Sequence, residues 1–317
     1  MVIVTFNGGR FIQKCVDAPA LQSFSAFEAV VVDNASRDGS ADRLELPDAR
    51  FRLIRSVDNQ GFAAGCNRGA RGADTSWLAM LNPDAIPNPD WLEHLHLASL
   101  RYENASLFGS KQIMAETPET LDGFGDVYSI FGIPWRGGHG WPADSCPKED
   151  CRVFAPCAAA ALYRRDFYSR LDGNECVQLC NAVVRHYGSA ITGRTSDFTL
   201  FHSSRNRVWL LLKNVPAVLL MIMAPLFVLA MAWLLARTRR MQPWRAQWRG
   251  FRAARKGLRR VWPKRAAIQR RRVISVRQLA RQLVWNHGSV RRRAHGCLGP
   301  PLAAKAVDPY NPATRFR

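Results

Sequence analysis

The stretch WLAMLNPD, residues 77–84, joins five mostly apolar residues directly to the polar tripeptide Asn82-Pro83-Asp84. A short apolar run that ends in turn-forming residues is typical of a strand buried on both faces. Similar runs recur on both sides of it: VIVTFN (2–7), AVVVDNAS (29–36), FRLIRS (51–56) and SLFGS (106–110). Helix-like stretches separate these runs, which predicts an α/β fold with a mostly parallel sheet and flanking helices.

Helices are predicted between the strands, over residues 8–18, 38–45, 61–73 and 89–102. In sheets of this type, ligands bind in a crevice outside the carboxyl ends of the strands. Three of these ends carry polar residues, namely Thr5-Phe6-Asn7, Asp33-Asn34-Ala35-Ser36 and Asn82-Pro83-Asp84. We therefore expect one polar rim at this edge of the sheet.

Charge is unevenly distributed along the 317 residues. Residues 1–200 carry 19 Lys and Arg against 24 Asp and Glu, whereas residues 201–317 carry 26 against one, Asp308. The net charge of +20 therefore belongs to the second part of the chain. A hydrophobic content of 47% excludes a disordered protein and allows a sizeable core.

Cysteine spacing and the amino terminus bear on the compartment. The eight cysteines form no CxxC pair and no metal-binding repeat, so we expect reduced thiols in a cytosolic setting. Met1 leads directly into VIVTF without the pattern of a signal peptide. The first part of the chain is therefore expected in the cytoplasm.

An apolar segment follows at residues 215–236, with Pro225 near its middle and basic residues on both flanks. Its 22 residues match the roughly 20 that a membrane-spanning helix needs. Because both flanks are basic, we favour a hairpin broken at Pro225 or an interfacial insertion over a single span. The tail from residue 237 mixes Trp with Arg and Lys, as segments that face anionic lipid do. A nucleic-acid-binding tail is the less favoured alternative, and we expect no nucleic-acid partner.

The rim carries carboxylates and amides in Asp33, Asn34, Asn82 and Asp84. One carboxylate can accept hydrogen bonds from a nucleoside, and another can bind a divalent cation that bridges two phosphates. The alternative is that DNASRDGS, residues 33–40, forms only an Asx turn before a helix. Residues 120–145, rich in Gly, Pro and aromatic residues, are predicted to form a long functional loop.

Four motifs in this order and spacing carry a family resemblance: VIVTFNGGRFIQKCV, VVVDNASRDGSADRL, NQGFAAGCNRGAR and LAMLNPDA. Together they closely resemble the family 2 glycosyltransferases, especially the bacterial rhamnosyltransferase-like branch. The resemblance extends through FAPCAAAALYRRDFY and RNRVWLLLKN towards the basic tail. It implies a GT-A fold, a Rossmann-like sheet with flanking helices, and a nucleoside-diphosphate sugar as donor.

The resemblance also implies the residues around the donor: Thr5, Asn7, Asp33, Asn34, Ser36, Asn59, Gly61, Phe62, Gly65, Asn67 and Asn82. Asn82-Pro83-Asp84 stands where the family has its metal-binding Asp-x-Asp, so Asp84 is the expected ligand of Mg²⁺ or Mn²⁺. His186 stands where the family often has a histidine that faces the metal and the diphosphate. The alternative for His186 is a partly buried structural role.

Two further positions follow from the same resemblance. Arg136 is a candidate on the acceptor side, and Arg205-Asn206 match an Arg-Asn pair of the family near the membrane junction. The match breaks after YRRDFYSRL, residues 163–171, where the segment that carries the catalytic base of the family, a Glu-Asp pair, has no counterpart. Either Asp172 or Glu175 acts as a surrogate base, or the chain has impaired activity.

The expected function is transfer of a sugar, such as the deoxyhexose rhamnose, from a nucleoside diphosphate to a hydroxyl of a lipid-linked or polysaccharide acceptor. The alternative is a nucleotide-sugar-binding remnant or membrane scaffold. We predict a GT-A-like domain over residues 1–204, a membrane-associated segment over 205–240 and a basic cytoplasmic tail over 241–317. The expected location is the cytoplasmic face of the inner membrane.

Overall fold

A computed structural model describes residues 1–170, 175–188, 193, 195–239, 243–299 and 302 of the chain. The chain forms two compact units. Unit 1 comprises Met1–Asp126, Arg136–Ile191 and His295–Arg317. Unit 2 comprises Val127–Trp135 and Thr192–Ala294. The predicted division at residues 204 and 240 stays a prediction.

The elements follow one another along the chain as strands and helices in alternation, and then as helices. The strands are β1 (Val2–Thr5), β2 (Ala29–Asp33), β3 (Phe51–Arg55), β4 (Trp77–Leu81), β5 (Ala85–Pro87), β6 (Ala105–Met114), β7 (Leu121–Gly123), β8 (Asp126–Tyr128), β9 (Pro134–Arg136), β10 (Cys151–Arg152), β11 (Ala160–Arg164) and β12 (Glu175–His186). The helices are α1 (Phe11–Ala20), α2 (Phe62–Gly69), α3 (Trp91–Arg101), α4 (Arg165–Arg170), α5 (Asp197–Asn214), α6 (Ala217–Thr238), α7 (Pro243–Lys256), α8 (Leu258–Arg270), α9 (Val276–Gln282) and α10 (His287–Arg292).

A mixed sheet in the order β10-β12-β6-β11-β4-β1-β2-β3 organises unit 1. Strand β1 pairs in parallel with β2 and β4, whereas β11 lies antiparallel between β4 and β6. The register sets Thr5 beside Asp33, and it pairs Leu81 with Ile3. The three polar strand ends therefore lie at one edge of the sheet. The predicted α/β class, with flanking helices and a helical region after the sheet, is confirmed.

Burial on both faces explains the apolar strands. Ile3 and Val31 belong to one core cluster, which includes residues of α1 and α3. Val4 and Val32 belong to a second cluster, which includes Cys66 of α2. Because successive side chains of a strand point to opposite faces, a strand covered on both sides must be apolar at every position. The need for apolar side chains on both faces is the reason that these strands could be predicted from their sequence.

Residues 38–45 form turns and irregular chain, so the helix predicted there is wrong. The Asp38 carboxylate accepts hydrogen bonds from the backbone N–H of Ser40 at 3.0 Å and from its hydroxyl at 2.6 Å, and from the Gly9 N–H at 2.9 Å. Such local side-chain hydrogen bonds compete with helix formation. Residues 120–145, predicted to form one long loop, instead contain three short strands.

Unit 2 contains one long apolar helix, α6, and it runs unbroken through Pro225. The hairpin predicted to break at this proline is therefore wrong. An internal proline removes one backbone hydrogen bond, and the apolar helix-forming residues on both sides sustain the helix around it. Among the described residues, α6 is the one helix long and apolar enough to cross a membrane. Membrane association itself stays a prediction.

A disulfide joins Cys151 to Cys297 within unit 1. The prediction that all eight cysteines are reduced is therefore wrong for these two, and the other six are unbonded. Backbone pairing brings the two together, since the Leu298 N–H donates to the Arg152 carbonyl at 2.8 Å. No local pattern signals this pairing, because 146 residues of the chain separate the two cysteines.

Candidate functional site

A cavity of about 660 Å³ opens at the carboxyl ends of β1, β2 and β3. Its walls include the loop after each of these strands, with Asn7, Asp33, Ser36, Arg37 and Asn59 among the lining residues. Four of these five are polar residues of the predicted donor site or its wall. The cavity therefore lies where a doubly wound sheet is expected to bind a ligand.

Two loops of the cavity are tied to each other through side chains. Asn7 and Ala35 adopt left-handed conformations, with φ of 53° and 64°. The Asn7 N–H donates to Ser36 Oγ at 2.9 Å, and the Arg37 N–H donates to Asn7 Oδ1 at 2.8 Å. Asp33 Oδ1 accepts the Ser36 N–H at 3.1 Å, so the turn expected as an alternative does form. That turn holds Asp33 in the cavity wall.

Asn34 and Thr5 are buried residues of the strand ends next to the cavity. The Asn34 amide donates to Asn59 Oδ1 at 2.9 Å and accepts the Gln60 N–H at 3.3 Å, which connects the loops after β2 and β3. Thr5 is buried, and a Cβ atom at Gly8 would come within 2.4 Å of its Oγ1 atom. Neither Thr5 nor Asn34 is among the residues that line the cavity.

The predicted wall on α2 divides into packing and surface residues. Gly61 begins α2 with φ of 89°, a conformation that favours glycine. A Cβ atom at Gly65 would come within 2.6 Å of Val4 Cγ1, so glycine allows α2 to approach β1 closely. Asn67 is exposed and accepts a hydrogen bond from the Tyr168 hydroxyl at 2.7 Å. Its role towards a donor stays a prediction.

Asn82-Pro83-Asp84 lies immediately beyond β4 and is held by its backbone. The Asn82 N–H donates to the Ala159 carbonyl at 2.8 Å, and its own carbonyl accepts from Cys15 Sγ at 3.2 Å. The Asp84 carbonyl accepts the Tyr187 N–H at 3.0 Å. Asp84 is only 5% exposed and is not among the residues that line the cavity.

Strand pairing brings His186 to Asp84. His186 ends β12 and pairs with Ala85, the residue after Asp84. Its Nε2 atom lies 3.3 Å from Asp84 Oδ1, and its Nδ1 atom lies 2.7 Å from Asp122 Oδ2. Burial disfavours a charged imidazole, but the Asp122 and Asp84 carboxylates outweigh it and raise the pKa of His186. Sequence and structure thus agree that Asp84 and His186 are close together.

Asp122 is the residue of this cluster that sequence reasoning missed. It is fully buried and ion-paired to Arg136, and it approaches His139 as well as His186. Burial opposes its charge, yet hydrogen bonds from His139 and His186 and the charge of Arg136 hold the pKa of Asp122 well below its usual range. Its only sequence signal was a carboxylate within the Gly-rich stretch DGFGD, residues 122–126. Arg136, predicted to lie on the side of the sugar acceptor, forms its ion pair with this carboxylate.

The Asp84–His186 pair fits a divalent cation as part of a ligand set. His186 Nε2 is buried, has no hydrogen-bond partner among the described groups, and lies beside a carboxylate. The described residues contain no group of three or more His, Cys, Asp and Glu side chains placed to hold a metal. Mg²⁺ is commonly bound through one or two protein ligands, with substrate phosphates and waters completing the set. Two protein ligands are therefore compatible with a cation that arrives with a diphosphate.

The residues predicted as catalytic base, and the Arg-Asn pair predicted near the membrane junction, are not part of the Asp84–His186 cluster. Asp172 lies outside the described residues, and of Glu175 the structure gives only the backbone at the start of β12. Asp150, part of the Glu149-Asp150 pair, accepts from the Tyr102 hydroxyl at 3.0 Å and from the Cys180 N–H at 2.9 Å. In unit 2, Arg205 contacts its helical neighbours, with its Nη2 atom 2.9 Å from His202 Nδ1.

Comparison with known proteins finds a family match in the amino-terminal part of the chain. Residues 1–118 match the family model described as Glycosyl transferase family 2. Glycosyltransferase AglE of Haloferax volcanii is 32% identical over 98 residues, which cover 29% of this chain and 32% of that protein. Succinoglycan biosynthesis protein ExoO of Rhizobium meliloti is 30% identical over 95 residues, or 30% of this chain and 27% of that protein. The matched part thus spans less than a third of the length of either relative.

A solved structure shows a further similarity. The mannosyltransferase PcManGT from Pyrobaculum calidifontis, in complex with GDP-Man and Mn²⁺, covers 84% of each chain with a TM-score of 0.47 and 17% sequence identity. The match to the family model ends at residue 118. The motifs beyond that residue therefore rest on the resemblance seen in the sequence.

Proposed function

We propose that this chain transfers a sugar from a nucleoside-diphosphate donor to an acceptor hydroxyl, because residues 1–118 match the model of glycosyl transferase family 2. The observation that carries the proposal is the cavity lined by Asn7, Asp33 and Ser36 at the carboxyl ends of the first three strands. A volume of about 660 Å³ is within the usual range of small-molecule sites. The nucleoside occupies this cavity.

Each group of the site then has a task. Asp33 accepts hydrogen bonds from the nucleoside, and Asn7 and Ser36 hold the two loops around it. Asp84 and His186 hold a divalent cation, Mg²⁺ or Mn²⁺. When bound, such a cation neutralises the charge that builds up on the departing diphosphate. Asn82 keeps the strand end in shape without adding a second charge.

Acceptor and sugar are proposed from the relatives and the motifs. The name of ExoO refers to succinoglycan biosynthesis, which supports a polysaccharide or lipid-linked glycan as acceptor. The rhamnosyltransferase-like motifs support a deoxyhexose such as rhamnose as the sugar. Asp172 or Glu175 is proposed as the base that accepts the proton of the acceptor hydroxyl.

Substitution of Asp33 tests the donor cavity. Asp33→Ala should weaken binding of the preferred nucleotide among UDP, dTDP and GDP by about 10- to 100-fold, because a hydrogen bond to a charged group contributes about 1.5–3 kcal/mol. Isothermal titration calorimetry in EDTA measures this effect without any contribution from a metal. The loss should be the same for the nucleotide and for its sugar conjugate.

Asp48→Ala is the matched control, since Asp48 is a carboxylate paired with Arg50 away from the cavity. It should bind nucleotide as the wild type does. Equal affinity of wild type and Asp33→Ala would contradict the proposed donor site.

The surface of unit 2 supports a membrane partner. Helix α6 exposes Met221 (72%), Leu229 (67%) and Trp233 (61%). Trp248 on α7 and Trp262 on α8 are exposed as well, beside many Arg and Lys side chains. Exposed apolar side chains next to aromatic and basic residues are typical of a surface that inserts among anionic lipids. We therefore include the cytoplasmic face of the cell membrane as the site of action.

Vesicle flotation tests this surface. The wild-type protein should float with vesicles that contain phosphatidylglycerol and much less with vesicles of phosphatidylcholine alone. Leu229→Glu should reduce flotation at least about tenfold, because a carboxylate in the apolar layer costs about 2.5 kcal/mol or more.

Leu21→Glu makes the same substitution at the carboxyl end of α1, where Leu21 is 75% exposed, and is the matched control. It should change flotation much less than Leu229→Glu does. A protein that stays with the soluble fraction in the presence of both kinds of vesicle would refute the membrane partner.

A further inference from the structure

The starting observation is that Asp122 is saturated by donors from three residues. Its carboxylate lies against the Arg136 guanidinium, and Asp122 Oδ1 lies 3.4 Å from His139 Nδ1. Its Oδ2 accepts from His186 Nδ1 at 2.7 Å, and its backbone carbonyl is 2.7 Å from His139 Nδ1. With no exposed surface, this carboxylate is not available to a ligand and acts through its neighbours.

The hydrogen bond to Asp122 decides which nitrogen of His186 carries hydrogen. An ionised carboxylate can only accept, so the Nδ1 atom of His186 must donate to Asp122. In the neutral imidazole, this leaves the lone pair on Nε2. That atom lies 3.3 Å from Asp84 Oδ1, and the two face each other as acceptors.

Positive charge is therefore favoured between these two atoms, and either a proton or a divalent cation can supply it. The Arg136 guanidinium is already paired with the Asp122 carboxylate. Histidine ligands of metals usually donate their second N–H to a carboxylate, which fixes the ring and makes the free nitrogen a better donor. Asp122, His186 and Asp84 form this sequence of contacts across three separate segments of the chain.

We propose that Asp122 is a positioning residue, which holds the His186 ring so that its Nε2 atom and Asp84 form a ready-made pair of ligands for the divalent cation. Arg136 and His139 keep Asp122 ionised and fixed in place. This inference deepens the proposed function and rests on its metal site. It adds a role for Asp122, Arg136 and His139 that does not involve contact with donor or acceptor.

The test is a titration of the full chain with Mn²⁺ alone, in which electron paramagnetic resonance reports free Mn²⁺. Asp122→Asn should raise the dissociation constant about 10- to 100-fold, as loss of such supporting partners usually does. Asp150→Asn is the matched control, because Asp150 is another largely buried aspartate of unit 1 that accepts two hydrogen bonds. It should bind Mn²⁺ as the wild type does.

A second measurement needs no variant and covers the case in which Asp122→Asn does not fold. Nitrogen-15 spectra of the histidines in the metal-free wild type at high pH should show His186 with hydrogen on Nδ1. Addition of Mg²⁺ should shift the Nε2 resonance of His186 more than that of Nδ1. Hydrogen on Nε2 instead would overturn the inference.

The outcomes separate this inference from the proposed function. Unchanged Mn²⁺ affinity in a folded Asp122→Asn protein overturns the inference, and so does a wild type that binds no Mn²⁺. In both cases the nucleotide binding lost in Asp33→Ala still supports the donor cavity. Conversely, a weakened Mn²⁺ site in a protein without sugar transfer supports the inference and counts against the enzyme.

Discussion

Asp84→Asn should lower the gain in nucleotide affinity that Mn²⁺ provides, the ratio of the affinity with Mn²⁺ to that in EDTA, by about 100-fold or more. The amide keeps the shape of the side chain but removes the charge that faces His186 Nε2 at 3.3 Å. A divalent cation stabilises a diphosphate by several kcal/mol, and each 1.4 kcal/mol changes affinity about tenfold. Calorimetry with the preferred nucleotide, once with Mn²⁺ and once with EDTA, measures this ratio. Binding in EDTA should be the same in variant and wild type.

Asp90→Asn is the control for Asp84→Asn, because Asp90 also faces a histidine, with its Oδ2 atom 3.2 Å from His94 Nε2. That pair lies on the surface of α3, so its removal should leave Mn²⁺-dependent binding intact. If Asp84→Asn retains the full effect of Mn²⁺, the metal assignment of Asp84 is wrong.

Trp91→Ala should destabilise unit 1 by about 3–5 kcal/mol, the usual cost of removing a large aromatic side chain from a core. Trp91 begins α3, is fully buried, and donates through its indole N–H to Ser110 Oγ at 2.8 Å. Its loss leaves a cavity in the core cluster that supports the central strands, and it leaves the Ser110 hydroxyl without this donor. Hydrogen exchange of peptides from β1, β4 and β6 measures the loss within unit 1.

Trp91→Phe should cost about 1–3 kcal/mol, since the ring is largely kept and the hydrogen bond to Ser110 is lost. Leu21→Ala is the control, because Leu21 is 75% exposed at the end of α1. Leu21→Ala should change the free energy of opening obtained from hydrogen exchange by less than about 0.5 kcal/mol. Equal exchange in Trp91→Ala and Leu21→Ala would show that α3 does not support the sheet.

Local patterns in the sequence predicted well where a single strand or strand end carried the information. Val4 and Val32 belong to strands covered on both faces, so the pattern is apolar at every position and visible without any partner. Asp33 ends β2, Asn7 and Ser36 lie in the loops after β1 and β2, and the structure brings all three together in one cavity. Local patterns predicted a helix wrongly at residues 38–45. There the Asp38 side chain accepts hydrogen bonds from Ser40, which favour a turn.

Contacts between distant segments could not be predicted in this way. His186 meets Asp84 because β12 pairs with β5, and it meets Asp122 across 64 residues of sequence. The Cys151–Cys297 disulfide joins residues 146 apart, and it contradicted an expectation drawn from cysteine spacing alone.

The sequence by itself determined an α/β sheet with a polar rim at one edge and several of the residues that line the cavity there, and residues 1–118 match the model of glycosyl transferase family 2. Burial and turn chemistry act over a few neighbouring residues, so they leave a local pattern that can be read directly. Only the tertiary structure decided that His186 lies between Asp122 and Asp84, that α6 continues through Pro225, and that Cys151 bonds Cys297. The contacts of His186 and the Cys151–Cys297 disulfide depend on pairing between segments that are distant in the sequence. The continuous helix depends on whether the remaining hydrogen bonds of α6 outweigh the one that is lost at Pro225.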